Sequence, residues 1–103
     1  MDTLNLAFIH GFEWDEGNFE KSWLKHQVRH WECEQLFFNE PLLIVDDLKH
    51  SYKEQRYCAL GKTDNDRQLF IAFTLRNSLI RVISAREMSK TEREVYEKVK
   101  ENT

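Results

Sequence analysis

The sequence has 103 residues and a net charge of −3; 41% of its residues are hydrophobic, 3 are glycine and 1 is proline. These values indicate one soluble globular domain over residues 1–103 and exclude a disordered chain. The slightly acidic charge argues against a general nucleic-acid binder and against a membrane-surface protein.

Charge is distributed unevenly along the chain. Residues 1–50 carry 4 Lys and Arg against 10 Asp and Glu, whereas residues 51–103 carry 11 against 8. We therefore expect an acidic and a basic face, and the basic face is suited to phosphate or a protein partner.

The two cysteines and the opening residues bear on location. No secretion-signal pattern opens the chain, and the longest apolar stretch, Leu69–Phe73, is far too short to span a bilayer. We expect a cytoplasmic protein in which Cys33 and Cys58 are free thiols.

The first half of the chain predicts one strand and two short helices. Loose alternation predicts a strand over 7–14, and Asp15 is expected to cap the helix that follows. In that helix Phe19, Trp23 and His26 share one face. A second helix is predicted over 31–38, with Cys33, Leu36 and Phe37 facing inward and Asn39-Glu40-Pro41 ending it.

The second half predicts four strands joined by polar segments. Short turns at 63–66 and 77–78 indicate an antiparallel meander. Residues 46–53 are polar and are predicted to form a loop. The predicted strands cover residues 42–45, 55–62, 67–76 and 79–86.

The closing segment has the start signal of a helix. Ser89-Lys90-Thr91-Glu92 matches a capping box, and Val95 and Val99 provide a narrow apolar stripe. The resulting order, β-α-α-β-β-β-β-α with an antiparallel sheet, predicts an α+β fold.

Several kinds of chemistry find little support in the sequence. The three glycines, at 11, 17 and 61, cannot form a phosphate-binding loop, and no Gly-x-Ser-x-Gly motif is present. His26, His30 and Cys33 have the spacing of zinc ligands on one helix, but this helix is expected to break between 27 and 30. We therefore predict no metal and no cofactor.

Arg56, Arg76, Arg81 and Arg86 all lie within or at the ends of predicted strands. Their guanidinium groups fit phosphate oxygens and keep their charge. In a regular strand Arg81 and Arg86 face opposite sides, so they converge only if Arg86 lies past the strand end or a bulge flips the register. Alternatively, each arginine pairs with a carboxylate such as Glu54 or Glu13.

A set of short motifs in fixed order makes the chain resemble the BrnT family, the toxin half of bacterial type II toxin–antitoxin systems. The resemblance covers residues 8–96. The motifs are Gly11-Phe12-Glu13-Trp14-Asp15-Glu16-Gly17-Asn18, Trp23-Leu24-Lys25-His26, Phe37-Phe38-Asn39-Glu40-Pro41, Lys49-His50-Ser51, Glu54-x-Arg56-Tyr57, Leu60-Gly61-Lys62-Thr63, Phe73-Thr74-x-Arg76, Ile80-Arg81-Val82-Ile83-Ser84-Ala85-Arg86, and Glu92-Arg93 with Tyr96.

The resemblance implies a RelE-like fold, metal-independent cleavage of RNA through its 2′-hydroxyl, and growth arrest. It also implies a BrnA-type antitoxin with a ribbon-helix-helix part, so that DNA is reached only through the antitoxin. The four arginines would bind RNA and stabilise the phosphate, and Glu54, His50 or His26 would move protons. Lys25 and His26 would also contact the RNA.

One position departs from the family pattern, which usually has glycine where this chain has Gln27. Either Gln27 adopts the same positive-φ turn with strain, or the loop differs. Two other functions remain open: a non-catalytic partner or co-repressor of an adjacent DNA-binding protein, and a small structural or adaptor protein whose arginines only pair with carboxylates.

Overall fold

Residues 6–102 are described by a computed structural model and contain five strands and three helices. Their order confirms the predicted succession, and from α2 onward their bounds lie within two residues of the prediction. In chain order they are β1 Gly11–Phe12, α1 Lys21–His26, α2 His30–Leu36, β2 Leu43–Asp46, β3 Arg56–Lys62, β4 Gln68–Arg76, β5 Leu79–Glu87 and α3 Lys90–Glu101.

The strands form one sheet in the order β1-β5-β4-β3-β2. Strands β2 to β5 are antiparallel, as predicted, whereas β1 pairs in parallel with β5. The sheet is therefore mixed. Asn77 and Ser78 form the two-residue turn between β4 and β5, both with positive φ, which matches the twist of the flanking strands.

The prediction of a strand over 7–14 is too long. Leu6–Phe8 form a 3₁₀ turn closed by the Ile9 N–H and the Leu6 carbonyl, and only two residues pair as β1. Trp14 leaves the sheet because its indole N–H donates to Glu34 of α2 at 2.8 Å.

The prediction that Asp15 caps the first helix is wrong. Its carboxylate accepts the Gly17 N–H at 2.8 Å, and its carbonyl accepts the Phe19 N–H at 2.8 Å, so it closes a turn before the helix. Helix α1 begins only at Lys21, and Phe19 therefore precedes the helix whose face it was predicted to share.

Helix α1 covers the edge of β5 beyond its short pairing with β1. The amide of Asn18, just before the helix, donates to the Val82 carbonyl at 3.0 Å. The Ser22 hydroxyl accepts the Ala85 N–H at 2.9 Å. These bonds satisfy backbone groups that an open sheet edge would expose.

The core lies between one face of the sheet and α2. Cys33 and Leu36 are buried, as predicted, and Phe37 packs against them from the partly buried rim. Gly61 allows α2 to approach β3 closely, because a Cβ atom there would lie 2.7 Å from Leu36 Cγ. The strands contribute Ala59, Leu69, Ile71, Phe73, Ile80, Val82 and Ala85 to this core.

Helix α3 begins with the predicted capping box. The Ser89 hydroxyl accepts the Glu92 N–H at 3.2 Å, and the Glu92 carboxylate accepts the Ser89 N–H at 2.8 Å. The predicted valine stripe is not the main contact, because Val95 is 49% exposed. Tyr96 anchors the helix instead: it is fully buried, and its hydroxyl donates to the Pro41 carbonyl at 2.7 Å.

Gln27 ends α1 in the left-handed conformation, with φ 55° and ψ 38°. Of the two alternatives drawn from the sequence, the positive-φ turn without glycine is therefore the one present. A side chain in this conformation costs about 1 kcal/mol relative to glycine.

Candidate active site

A row of side chains crosses the three central strands on the face opposite the core. The register pairs Arg56 of β3 with Thr74 of β4, and Thr74 with Arg81 of β5. Thr74 alternates with the core residue Phe73, so the row lies on the other face. Arg76 follows two residues after Thr74 and shares that face. Three of the four predicted arginines therefore meet at one end of the sheet.

A β-bulge places Arg81 and Arg86 on the same face of β5. The register of β4 with β5 shifts between Ala72 and Phe73, which makes Ile83 the extra residue. The bulge alternative from the sequence is thus confirmed. Arg86 still follows Arg81 by five positions, which is roughly 15 Å of strand, so Arg86 lies outside the row.

Carboxylates hold Arg76 and Arg81. Arg76 donates to both carboxylate oxygens of Glu54, at 3.1 and 3.2 Å. Arg81 donates to Glu13 at 2.9 Å and to Asp15 at 2.9 and 3.0 Å. Glu13 also lies 3.9 Å from Arg76. The carboxylate pairing that the sequence left open is present for both arginines.

These ion pairs change the proton affinity of the carboxyl groups. The hydrogen bond from Arg76 lowers the pKa of Glu54 below its ordinary value. The hydrogen bond from Arg81, followed by that from the Gly17 N–H, lowers the pKa of Asp15. Both groups are therefore ionised at neutral pH, and an ionised Glu54 accepts a proton rather than donating one.

Arg56 differs from the other three arginines because its guanidinium has no ion pair or hydrogen bond with any of residues 6–102. Its charge reaches Glu54, where it lowers the carboxyl pKa after the larger effect of Arg76. A guanidinium without a carboxylate partner is free to bind a phosphate group in a bidentate manner. Arg56 is therefore the best placed of the four for an anionic ligand.

The loop before β3 is closed at its base by three hydrogen bonds. The Asp47 N–H donates to the Arg56 carbonyl at 2.8 Å. The Ser51 hydroxyl donates to the Asp47 carbonyl at 2.6 Å and accepts the Arg56 N–H at 3.0 Å. On this loop, His50 Nδ1 lies 2.9 Å from the Asp47 carboxylate. The loop therefore holds the imidazole near Arg56.

A shallow cleft of about 220 Å³ opens beside this loop. It brings together three of the predicted site residues with two neighbours from the loop: His50, Tyr52, Lys53, Glu54 and Arg56. The Thr74 hydroxyl donates to the Gln55 carbonyl at 2.6 Å and so fixes the start of β3. The cleft holds an imidazole, an ionised carboxylate and a guanidinium that has no carboxylate partner in the described part of the chain.

Arg86 is held at the other end of β5. It donates to both carboxylate oxygens of Glu92, at 2.8 and 3.0 Å, and its guanidinium lies over the Phe70 ring at 4.2 Å. Glu92 belongs to the cap of α3, so this pair ties the helix to the sheet. Although it was predicted in the same site, Arg86 does not line the cleft.

Lys25 and His26 also lie away from the cleft. Both are exposed on the last turn of α1. The adjoining backbone is bound by Arg67, which donates to the Gln27 carbonyl at 2.9 Å. Arg67 precedes β4, whose far end carries Arg76, so the two predicted RNA contacts lie at the opposite end of the sheet.

The candidate zinc ligands do not converge. His26 is exposed beside the break at Gln27, whereas the His30 ring stacks on Phe19 at 4.3 Å. Burial raises the pKa of the Cys33 thiol to about 12, and both cysteines are free thiols. Within residues 6–102, no group of three or more His, Cys, Asp and Glu is arranged to hold a metal ion.

Sequence reasoning missed Asp47 and Thr74. Asp47 precedes His50 by three residues, a spacing that commonly brings two side chains together in a tight turn. Thr74 alternates with apolar residues of a predicted strand, which could have placed it on the face of the arginines. The partners of Arg81 were partly anticipated, since Glu13 was considered and Asp15 was assigned to a cap.

Fold and cleft together define a small α+β protein whose cleft brings together cations, a carboxylate and an imidazole. A family described as the ribonuclease toxin BrnT of type II toxin–antitoxin systems matches residues 14–92. The chain therefore belongs to the BrnT family, which confirms the resemblance seen in the sequence. Membership implies an RNA substrate and an antitoxin partner.

Comparison with curated proteins gives no match. Among residues 6–102, no helix is both long and apolar enough to span a membrane.

Proposed function

We propose that this toxin is a cytoplasmic, metal-independent endoribonuclease. It cleaves RNA through the 2′-hydroxyl and so arrests growth. A BrnA-type antitoxin with a ribbon-helix-helix part neutralises it, and the pair reaches DNA through that part. The observation that carries the proposal is Arg56, which has no carboxylate partner among residues 6–102, beside Glu54 and His50 in a chain of the BrnT family.

The arginines divide into two roles in this proposal. Arg56 binds the scissile phosphate and stabilises the charge that develops on it. Arg76 and Arg81, already paired with carboxylates, hold Glu54 and the loop of Glu13 in place. Arg86 stabilises the attachment of α3.

The proton transfers fall to the two titratable groups of the cleft. Glu54 is a carboxylate at neutral pH and is held by two hydrogen bonds from Arg76, and in this proposal it accepts the proton of the 2′-hydroxyl. His50, protonated, supplies a proton to the leaving 5′-oxygen. Lys25 and His26 contact RNA outside the cleft, because α1 carries them to the far end of the sheet.

The enzymatic part is tested with the purified chain and an RNA oligonucleotide in chelator. We expect cleavage to products with a 2′,3′-cyclic phosphate and a 5′-hydroxyl. An oligonucleotide with 2′-deoxyribose at the cleaved position is the matched control, and it should resist. Loss of cleavage in chelator, or equal cleavage of the deoxy substrate, would contradict the mechanism.

The cellular part is tested by inducing the chain alone and together with the protein encoded beside it. Arrest by the chain alone and rescue by co-expression are expected. Unimpaired growth on expression of folded protein would contradict the toxin role.

One observation favours a second candidate, a non-catalytic partner or co-repressor of an adjacent DNA-binding protein. Three of the four arginines, Arg76, Arg81 and Arg86, are already bound by carboxylates. If the partner-free chain leaves RNA intact but increases the DNA affinity of its neighbour, this second candidate replaces the first.

A further inference from the structure

Asp47 is placed to orient the His50 imidazole. Its two carboxylate oxygens lie 2.9 and 3.2 Å from Nδ1. The Asp47 side chain is only 18% exposed, whereas that of His50 is 55% exposed. No group of residues 6–102 hydrogen-bonds to Nε2. The imidazole therefore has one nitrogen held by the protein and one available to a ligand.

Hydrogen bonds to Arg56 and Ser51 fix the position of Asp47 relative to the cleft. Asp47 is bonded to Arg56 directly and through the Ser51 hydroxyl, at distances of 2.6 to 3.0 Å. Asp47 also extends β2 by one residue, on the side of the sheet that carries Arg56. Any movement of Asp47 would therefore move the imidazole relative to Arg56.

The Cys58 thiol lies on the same side of the sheet. Burial raises its pKa, and the Asp47 charge and a hydrogen bond to Asp47 raise it further. The thiol therefore stays protonated beside the carboxylate. Asp47 is therefore the negatively charged group that faces Nδ1 of His50.

We propose that Asp47 is a positioning residue for the reaction, an inference that rests on the proposed ribonuclease function. Its carboxylate accepts the Nδ1 hydrogen of His50 and directs Nε2 toward the scissile phosphate.

The proposed cleavage moves two protons and exchanges one bond at phosphorus. Glu54 takes the 2′-hydroxyl proton, the 2′-oxygen bonds to phosphorus, and the bond from phosphorus to the 5′-oxygen breaks. The Nε2 proton passes to that oxygen. His50 is left neutral, with its remaining hydrogen on Nδ1 and still bound to Asp47, and both groups return to their starting states by exchange with water.

Other charged groups line the same cleft. Lys53 and Glu54 line it from the loop and Arg56 lines it from β3. Among residues 6–102, only Asp47 hydrogen-bonds to the ring. A test must therefore report on the ring nitrogens themselves, since a change in local charge alone would not select one tautomer.

The first experiment measures the ¹⁵N chemical shifts of the His50 ring at a pH where the ring is neutral. Neutral imidazole in water favours the hydrogen on Nε2. We expect the full-length protein to carry it on Nδ1, and Asp47→Asn to shift the population toward Nε2. A wild-type ring with its hydrogen on Nε2 would overturn the inference whether or not the protein cleaves RNA.

The second experiment is a kinetic double-mutant cycle. Asp47→Asn should lower kcat at least about tenfold with little change in KM, because a general acid contributes on the order of 100-fold or more. In a His50→Gln background the same change should cost nothing further. Equal losses in both backgrounds would overturn the inference.

Asp46→Asn is the matched control. Asp46 is the preceding carboxylate, on the other side of β2, where it pairs with Tyr57 in the register. It should keep wild-type kcat and the wild-type His50 tautomer. A loss equal to that of Asp47→Asn would overturn the positioning role. Absence of cleavage by the wild type would instead reject the proposed function, which the tautomer result does not depend on.

Discussion

Arg86 and Glu92 are joined by two hydrogen bonds, and the same Glu92 carboxylate caps the start of α3. The pair therefore connects the end of β5 to α3, which lies on the face of the sheet opposite the core. The bulge in β5 makes this possible by placing Arg86 on that face. A residue first assigned to phosphate binding thus has a complete structural role.

Replacing Arg86 with alanine should lower the free energy of unfolding by about 1 kcal/mol, after allowance for solvent screening of a pair that is partly exposed. Cleavage per folded molecule should stay close to wild type at low temperature. Urea titration and an RNA cleavage assay measure the two effects. Lys98→Ala, on the exposed side of the same helix, is the control and should change neither. A stable Arg86→Ala protein without cleavage would restore Arg86 to the catalytic set.

The Arg86–Glu92 pair also predicts a dependence of stability on pH. The hydrogen bond from Arg86 lowers the pKa of Glu92 below its ordinary value of 4.5. A group whose pKa is lower in the folded state stabilises the protein above the unfolded value and ceases to do so as pH falls through the folded value. The unfolding free energy of wild type should therefore exceed that of Glu92→Gln near neutral pH, and the difference should shrink below pH 4.5.

Denaturant titrations at several pH values test this dependence. Glu94→Gln removes the same charge from the same helix and breaks no ion pair among residues 6–102. A difference between wild type and Glu92→Gln that stays constant down to strongly acidic pH would show that the pair does not form.

Any side chain introduced at position 61 is expected to destabilise the folded protein. An added Cβ would lie 2.7 Å from Leu36 Cγ in the core, and overpacking of this kind costs about 1–3 kcal/mol. Gly61→Ala should lower the free energy of unfolding by that amount. Combining it with Leu36→Val should recover part of the loss, because the valine is smaller at the point of contact. Strict additivity of the two changes would argue against the close approach of α2 and β3.

Gln27 should become more favourable as glycine. Its φ of 55° lies in the left-handed region, where removal of the side chain relieves about 1 kcal/mol. Gln27→Gly is expected to raise the free energy of unfolding by up to that amount in urea titrations. Lys25→Gly, inside α1, is the control and should lower it by about 1 kcal/mol. A destabilised Gln27→Gly protein would mean that α1 ends differently.

The elements best predicted from the sequence are those specified by neighbouring residues. The Asn77-Ser78 turn sets the β4–β5 hairpin, and the Ser89–Glu92 capping box sets the start of α3. Both depend on local hydrogen bonds and backbone angles.

Features that depend on distant residues were harder to predict. Strand β1 pairs with β5 across the sheet, and its two residues carry no strand pattern of their own. Tyr96 is buried and its hydroxyl donates to the Pro41 carbonyl, a contact that the spacing of Val95 could not reveal. The bulge at Ile83 was recognised as one option, since alternation alone cannot locate an inserted residue.

The candidate site was predicted in composition but not in arrangement. Sequence reasoning found Arg56, Glu54 and His50, which line one cleft. It also grouped Arg86 and His26 with them, although the strand and helix that carry these two residues lead away from the cleft. The carboxylate partners of Arg76 and Arg81 lie far away in sequence, so only the folded structure shows that Arg56 has no such partner among residues 6–102.

The most direct test of this assignment is the single-turnover rate of RNA cleavage, in chelator, by wild type and Arg56→Ala. Loss of a cation that stabilises the transition state is expected to reduce the rate by about 100-fold or more. The thermal midpoint should hardly change, because Arg56 has no ion pair to lose within residues 6–102. Cleavage by folded Arg56→Ala at the wild-type rate would contradict the account.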